Sequence, residues 1–574
     1  MITHEVFNQA PPRTGVDEFA SNAALVDAVR VWGTRSPAAR AEQRLGEAGA
    51  FVGTAEFQHD AELANTNEPV LHTHDRWGKR IDQVEYHPAY HRVIGEAVAR
   101  RAHTSAWLEP GPGASVDRAA MFYLFAQVEP GHACPVSMTH AGAAILKDAE
   151  FPGRDEWWAR AMSRDYGGNA ALFGMAMTEK QGGSDVRANT TRATPNSDGT
   201  WSLTGHKWFC SAPMSDAFFV LAQTRQAAQT TRAARAGQGG GHGAEDQALS
   251  CFFVPRVLPD GAKNPFFIQR LKDKLGNRSN ASSEIELDGT VGWLVGEPGR
   301  GVRAILPMVS RTRLDCVIGT AAGMRQSVAE AAWHARHRFA FGRALIDQPA
   351  MAAVIADLQL EAEAATLTAM RLARAHDSNT GGEQDQNSTD ESDAGELAFR
   401  RLATAVAKYL VCKRGPAHAY EALECLGGNG YTEAFPLARR YREQPVLAIW
   451  EGSGNVIALD VLRALGRETA AFHAFFAEIG RARGAWDLFD TELDEVQDFV
   501  RQLRTGLLDG AQWVELRARE LTERLGVLLE ASLMLRYAPA AVGDAFVAAR
   551  LGHPSALYGA LPAGVDLPAI VGRA

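Results

Sequence analysis

The feature that most constrains this 574-residue chain is a change of period along its length. Apolar residues recur at helical spacing in AALVDAVRVWG (23–33), YHRVIGEAVARRAH (90–103) and VDRAAMFYLFAQVE (116–129). From about Ala171 the pattern becomes short apolar or alternating runs, LFGMAMTE, WSLTGHKWFCSA, AFFVLAQT, LSCFFVPR and SEIELDGTVGWLVG, punctuated by Gly, Asn and Asp. From Gly301 long helical patterns return, and Gly427 with Gly428 offers a stop for the last of them. A chain that switches period twice is an α+β protein. The expected division is an N-terminal helical domain (1–170), a central antiparallel β domain (171–300), a C-terminal four-helix-type domain (301–465) and an extra helical subdomain (466–574).

Composition narrows the function classes. With 46% apolar and 22% charged residues the chain is globular throughout, and no run approaches the ~20 apolar residues of a bilayer span. The N-terminus lacks an apolar segment behind a basic start, so a cytoplasmic protein is expected. The six cysteines show no metal-type spacing and read as reduced core residues. A net charge of −9 excludes a polycation built to hold nucleic acid, though a local basic face remains compatible. Two polar segments, 225–248 and 377–396, read as mobile loops; the first contains G-x-G-x-x-A at Gly239, Gly241 and Ala244, which lacks the strand-to-helix setting of a dinucleotide site. HTHD (72–75) and HARH (334–337) lack a third ligand nearby, so no metal is expected, and His132 and His140 read as core or interface residues.

Five separated motifs carry the chemistry: MTEKQGGSD (177–185), GHKWFCSA (205–212), RHRFAFG (336–342), LGGNGYTE (426–433) and IWEGSGN (449–455). Alone, each has a bland reading as a turn, a core strand or a helix cap. In this order they resemble the acyl-CoA dehydrogenase family over roughly residues 80 to 465. The wording of TEKQGGSD, KLGNRSNAS (274–282) and IWEGSGN, with the extra C-terminal helices, is most similar to the family's DNA-associated branch in the bacterial adaptive response to alkylation.

The resemblance implies FAD as cofactor and an acyl-CoA as ligand. A turn that exposes backbone N–H groups and a hydroxyl suits the donor and acceptor edge of a flavin ring. By resemblance Met177, Thr178, Gly183 and Ser184 hold the flavin edge and pyrophosphate, Phe209 packs on the ring, and Cys210 and Ser211 line it, with Ser211 near N5. Thr178, Ser184 and Ser211 also face the acyl substrate. Trp450, Ser453 and Asn455 complete the cofactor set. Glu451 is the candidate catalytic base, desolvated by Ile449 and Trp450, because thioester oxidation needs a carboxylate beside the substrate Cα. Family members that take their base from another helix carry it just before an Arg; Thr312, before Arg313, stands there and cannot serve. Ser453 is placed to cap the helix that follows. Arg338, Phe341 and Gly428 match residues that reach the adenosine diphosphate half of FAD in a neighbouring subunit, which implies a homo-oligomer, a tetramer in this family; Glu424 stands where many members have Gln.

The resemblance further implies double-stranded DNA as partner, with Arg463 at a contact position and protection against alkylation damage beside weak isovaleryl-CoA dehydrogenase activity. The alternative it implies is a metabolic short or branched-chain acyl-CoA dehydrogenase feeding an electron-transfer flavoprotein. Beyond Gly466 there are 11 Arg and no Lys against 15 acidic residues, so the total charge of this tail does not explain phosphate binding. Only distribution would: Arg481, Arg483, Arg501, Arg504, Arg517 and Arg519 are candidates for one stripe, and solvated helix faces explain them as well.

Overall fold

A computed structural model describes residues 3–34, 38–225, 247–377 and 391–574. Most of both polar segments named above, with Gly239, Gly241 and Ala244, lies outside them. The N-terminal region holds α1 (Ala23–Trp32), α2 (Ala38–Val52), α3 (Ala55–Thr66), a hairpin of β1 (Val70–His74) and β2 (Arg80–Glu85), then α4 (Pro88–Ala99), α5 (Ser105–Leu108), α6 (Ala114–Ala126), α7 (Pro130–Leu146) and α8 (Arg154–Ala161). The hairpin is an addition to the helical expectation. Its alternating half-exposed residues, punctuated by Gly78 at φ 83°, pair across a tight turn.

The middle of the chain supplies β3 (Phe173–Ala176), β4 (Arg192–Pro195), β5 (Trp201–Ser211), β6 (Ala217–Arg225), β7 (Gln247–Pro255), β8 (Phe266–Leu271) and β9 (Ser282–Val295). Pairings run β6–β4–β5–β9–β7 and return from β7 to β6, so the sheet closes on itself as a small barrel with β8 on β9. Two pairings depart from the antiparallel expectation: β3 and β4 both run parallel to β6, along the same edge of it. The reason is the connection between them. Residues 177–191 leave that edge as a turn and rejoin it farther along, so the strand is interrupted where the first motif lies.

The helical region is built on α9 (Gly301–His337), a single helix of 37 residues, with α10 (Pro349–Arg374), α11 (Glu391–Glu424) and α12 (Pro436–Ile449) packed around it. Then come α13 (Gly454–Arg467), α14 (Thr469–Ile479), α15 (Asp487–Leu508), α16 (Trp513–Leu516), α17 (Ala518–Tyr537), α18 (Ala540–Val547) and α19 (Leu567–Val571). The stretch Pro436–Arg467 has the mean hydropathy of a membrane span, yet it breaks at Trp450–Ser453 into two helices of 14 residues, short of the ~20 a span requires.

Buried charges join the layers. Arg118 of α6 meets Asp315 of α9, with Nη2 2.9 Å from Oδ2, and all six cysteines are buried and unpaired. The tail docks through arginines pointing inward: Arg550 is 2.7 Å from Asp357 and 3.0 Å from Glu361 of α10, and Arg573 is 2.7 Å from Glu363. Beside them Glu530 is pushed up to about 8 by burial and by the neighbouring Glu361 charge. Removing one partner of such a pair strands the other in a low-dielectric interior. Arg550→Met is therefore expected to cost about 3–5 kcal/mol and to loosen the tail, read as a lower Tm and earlier proteolytic cleavage within 466–574, while the surface change Arg504→Met alters neither.

Candidate active site

The first motif is a turn locked from inside. Beyond β3, the Thr178 carbonyl accepts the Trp208 N–H at 2.8 Å, tying the turn to β5. Glu179 then points inward and is fully buried, as is Lys207 of β5, and the two meet at 2.8 Å. The Glu179 carboxylate also accepts from Thr191 Oγ1 at 2.6 Å and Thr190 N at 2.7 Å, and Lys207 donates to the Leu221 carbonyl of β6 at 2.7 Å. Burial alone would raise the Glu179 carboxyl, but the Lys207 charge and these donors hold it well below the usual range. Burial lowers the Lys207 ammonium against the opposing pull of Glu179.

With Glu179 fixed, residues 180–185 fold outward. Glu179 and Gly182 exchange backbone hydrogen bonds of 3.2 and 3.0 Å, and Gly182 takes φ 153°. Gly183 lies so close to Thr178 that a Cβ there would sit 2.6 Å from the Thr178 hydroxyl. Thr178 is half-buried beneath this loop and Ser184 exposed on it.

Strand β5 carries a bulge between Lys207 and Cys210. The extra residue re-aims the side chains, leaving Phe209 50% exposed beside the buried Cys210, whose thiol burial pushes up to about 12. The Lys272 ammonium lies 3.2 Å from the centroid of the Trp208 ring. At the strand end the Ser211 hydroxyl is 3.3 Å from that of Ser282 and reaches the Cys134 thiol.

Glu451 arrives from the other side, on the break between α12 and α13. It adopts φ 58° and Gly452 φ 114°, so the chain reverses in the left-handed region with a non-glycine residue at its centre. Two cations hold that conformation through backbone carbonyls: Arg313 Nε donates to Glu451 O at 3.0 Å, and Lys408 donates to Gly452 O and, at 3.3 Å, to Ala448 O. The carboxyl is raised by burial, against hydrogen bonding from Thr312 and the charges of Arg313 and Lys408. Thr312 thus stands beside Glu451, so the two positions discussed for a base converge. Glu451 Oε2 and Trp450 Nε1 are buried with no hydrogen-bond partner among the described residues. Trp450, Met177 and Val309 pack on one apolar cluster that includes Cys134, Met138, Ala212 and Met308. The motifs at 177, 205 and 449 meet there.

The remaining candidates lie apart from that cluster. Arg338 donates to the carbonyl of Asn8 in its own chain, and Phe341, at φ 52°, is 97% exposed on the short hairpin that follows. Gly428 lies in a 3-10 turn with open space where a Cβ would be, and Glu424 is exposed. Ser453 occupies the cap position of α13, but its side chain makes no capping bond, so the geometry and not the hydroxyl starts the helix. The Asn455 side-chain oxygen faces Arg519 of the tail at 3.4 Å. Arg463 is exposed, 3.4 Å from Asp460. The proposed stripe is largely neutralised: Arg481 pairs with Glu478, Arg483 with Asp494, Arg501 with Asp498 and Arg517 with Glu520. Arg504 bonds Thr469, and Arg519 bonds the Tyr409 hydroxyl. His132 and His140 are buried, and no group of three metal-binding side chains converges among the described residues.

An exposed aromatic face on a bulge, a glycine loop folded over a threonine, an orphaned indole N–H and a carboxylate with one orphaned oxygen around one apolar wall fit a flat ring with polar edges lying beside a reacting carbon. The residues that sequence reasoning passed over are Glu179, Lys207, Arg313 and Lys408. A signal existed for one of them: Leu203, Gly205 and Lys207 share a strand face, and a lysine on an inward face needs a buried partner.

Comparison with known proteins identifies the domains. Residues 8–168 match the model of the adaptive response protein AidB N-terminal domain, 174–290 that of the acyl-CoA dehydrogenase middle domain, and 299–466 that of the acyl-CoA dehydrogenase C-terminal domain. The chain is 41% identical to AidB of Escherichia coli (strain K12) over 553 residues, 95% of this chain and 94% of that one. Among solved structures it is similar to Caenorhabditis elegans ACDH-11 in complex with C11-CoA, with TM-score 0.83 and 24% identity over 100% of this chain and 93% of that one. It is also similar to a Bacillus anthracis acyl-CoA dehydrogenase complexed with FAD, with TM-score 0.62 and 16% identity over 80% and 77% of the chains.

The Glu179–Lys207 lock yields a test. Glu179→Ala leaves a buried ammonium unpaired and is expected to cost about 3–5 kcal/mol in denaturant unfolding, whereas the paired replacement Glu179→Leu with Lys207→Met costs less than either single change.

Proposed function

The chain belongs to the acyl-CoA dehydrogenase family, in the branch that carries the AidB N-terminal domain, and from that premise we propose that it is an FAD-binding flavoprotein that oxidises a short or branched acyl-CoA slowly and associates with duplex DNA in protection against alkylation. The observation that carries the flavin half is the buried Glu451 carboxylate, whose Oε2 has no partner among the described residues, on a backbone held by Arg313 and Lys408 at the wall shared by the three motifs. Bound FAD supplies the acceptor for the β-hydride. Glu451 Oε2 takes the α-proton, and the raised carboxyl makes it a stronger base than a solvated glutamate would be. Thr178, Gly183, Ser184, Phe209, Ser211 and Trp450 would hold the ring and its pyrophosphate side; the exposed Phe341 and Gly428, with the half-buried Arg338, suit completion by a second copy in a homotetramer.

The DNA half rests on the identity to E. coli AidB along nearly the whole chain. Because most arginines of the candidate stripe are paired, binding should be electrostatic, sequence-independent and carried by few phosphates. That same pairing favours the second reading, a metabolic dehydrogenase that passes electrons to an electron-transfer flavoprotein.

The Glu451 variant tests the base that both readings share, and the rate of turnover together with duplex binding separates them. Glu451→Gln is expected to lower isovaleryl-CoA turnover at least 100-fold, and parent turnover to rise with pH through a midpoint above the ordinary carboxylate value, since only the ionised base acts. A carboxyl raised in the folded state stabilises the fold when protonated and loses that contribution as pH rises, so Glu451→Gln should unfold at or above the parental Tm at pH 8. In a titration of duplex binding by fluorescence anisotropy from 50 to 200 mM salt, Arg463→Glu should weaken binding and reduce the log–log slope by about 1. Salt-independent or absent binding, with rapid turnover through an electron-transfer flavoprotein, leaves the metabolic reading standing.

A further inference from the structure

The segment from Lys272 to Ser282 contains KLGNRSNAS (274–282), a motif whose chemistry the site above does not use. Its Lys274 is folded inward. The ammonium donates to Asn277 O at 2.6 Å, to Asn280 O, and to the Ser282 hydroxyl at 3.3 Å, so its three N–H bonds have three acceptors. The Ser282 hydroxyl is in turn 3.3 Å from that of Ser211, at the end of the strand that carries Phe209. The loop is wedged in place: a Cβ on Gly276 would sit 2.1 Å from Arg442 O of α12, the helix that leads to Glu451, and Asn277 N donates to Glu443 of that helix at 2.9 Å.

Resting on the flavin reading, we infer that Lys274 is a positioning residue for the cofactor edge, which through Ser282 fixes the direction in which Ser211 donates and sets a positive charge behind the ring site. Two serines alone are ambivalent, since either hydroxyl can donate to the other. An ammonium only donates, so Ser282 Oγ accepts from Lys274, and the side-chain acceptor within reach of the Ser282 proton among the described residues is Ser211 Oγ. Ser211 then accepts from behind and its proton points elsewhere. The other group it reaches, the Cys134 thiol, is pushed up to about 12 by burial, stays neutral and is a weak acceptor. A ring nitrogen placed at the end of β5 is the strong acceptor that completes the chain.

The charge is conditional on pH. Burial lowers Lys274 to about 8, against the pull of the Glu443, Glu68 and Glu129 carboxyls, which face it from α12, the approach to β1 and the start of α7, while the neutral Cys134 thiol faces it from α7; Glu443 is itself pushed up to about 7. The directional lock and the positive charge are present below that value and fade above it.

The test uses the full-length protein loaded with FAD, with the flavin reduction potential and the FAD dissociation constant measured from pH 6.5 to 9.5 for the parent, Lys274→Met and Ser282→Ala. The parent should show a step in potential centred near pH 8, more positive on the acidic side. Lys274→Met should shift the acidic-side potential to more negative values, abolish the step and weaken FAD about tenfold, as loss of a charge-assisted hydrogen bond predicts. Ser282→Ala keeps the charge but breaks the chain, so it should retain the step with a smaller shift. FAD bound by all three proteins with the same potential and the same pH profile overturns the assignment of Lys274 alone. A parent that binds no FAD overturns the flavin reading and this inference with it.

Discussion

The buried contact between Glu179 and Lys207 is the constraint on which the site's geometry depends. It joins β5 and β6 to the segment that would otherwise be a loose link between β3 and β4. Desolvating two charges is expensive, and the Glu179 carboxylate recovers that cost only because Thr190, Thr191 and Lys207 saturate it together. An apolar pair of the same volume would pack as well without fixing where residues 180–185 turn. The ion pair therefore serves position: it sets Thr178 beneath Gly183 and anchors β5 just before the bulge that exposes Phe209.

Against that saturated carboxylate, Glu451 is its electrostatic opposite. Its backbone is held by Arg313 and Lys408 while one carboxyl oxygen is left without a donor. Strain at φ 58° and a desolvated acid both cost stability, and both are tolerated because the flanking helices α12 and α13 are buried along their inner faces. Cations aimed at carbonyls, with only long-range pull on the carboxyl, keep the loop rigid without quenching its basicity.

Sequence reasoning reached the residues whose role depends on local wording. Thr178, Gly183, Phe209 and Glu451 belong to short motifs, and the change of period at 171 and 301 follows from side chains that alternate on strands and recur on helices. It could not reach partners set by topology. Lys207 finds Glu179 from 28 residues away, Arg313 finds Glu451 from 138, and the parallel course of β3 and β4 beside β6 is invisible in strands that look alike in either direction. The hydroxyl of Ser453 shows the converse failure: the cap position was legible, but whether its oxygen is used depends on the strained residue two positions before it.

The tail illustrates how charge counting misleads when burial is unknown. Its 11 arginines stand against 15 acidic residues; Arg536, Arg550 and Arg573 are spent on Glu478, Asp357, Glu361 and Glu363 within the fold, Arg481 reaches the same buried Glu478, and Arg483, Arg501, Arg517 and Arg524 sit beside more exposed carboxylates. Exposed pairs exchange partners at little cost, so phosphates could compete for the second group. The first group cannot leave without stranding buried carboxylates. Any polyanion surface on this subdomain is therefore assembled from the exposed pairs, from the exposed Arg467 and Arg504, and from Arg463, whose contact with Asp460 is 3.4 Å, or from a second copy placed against them.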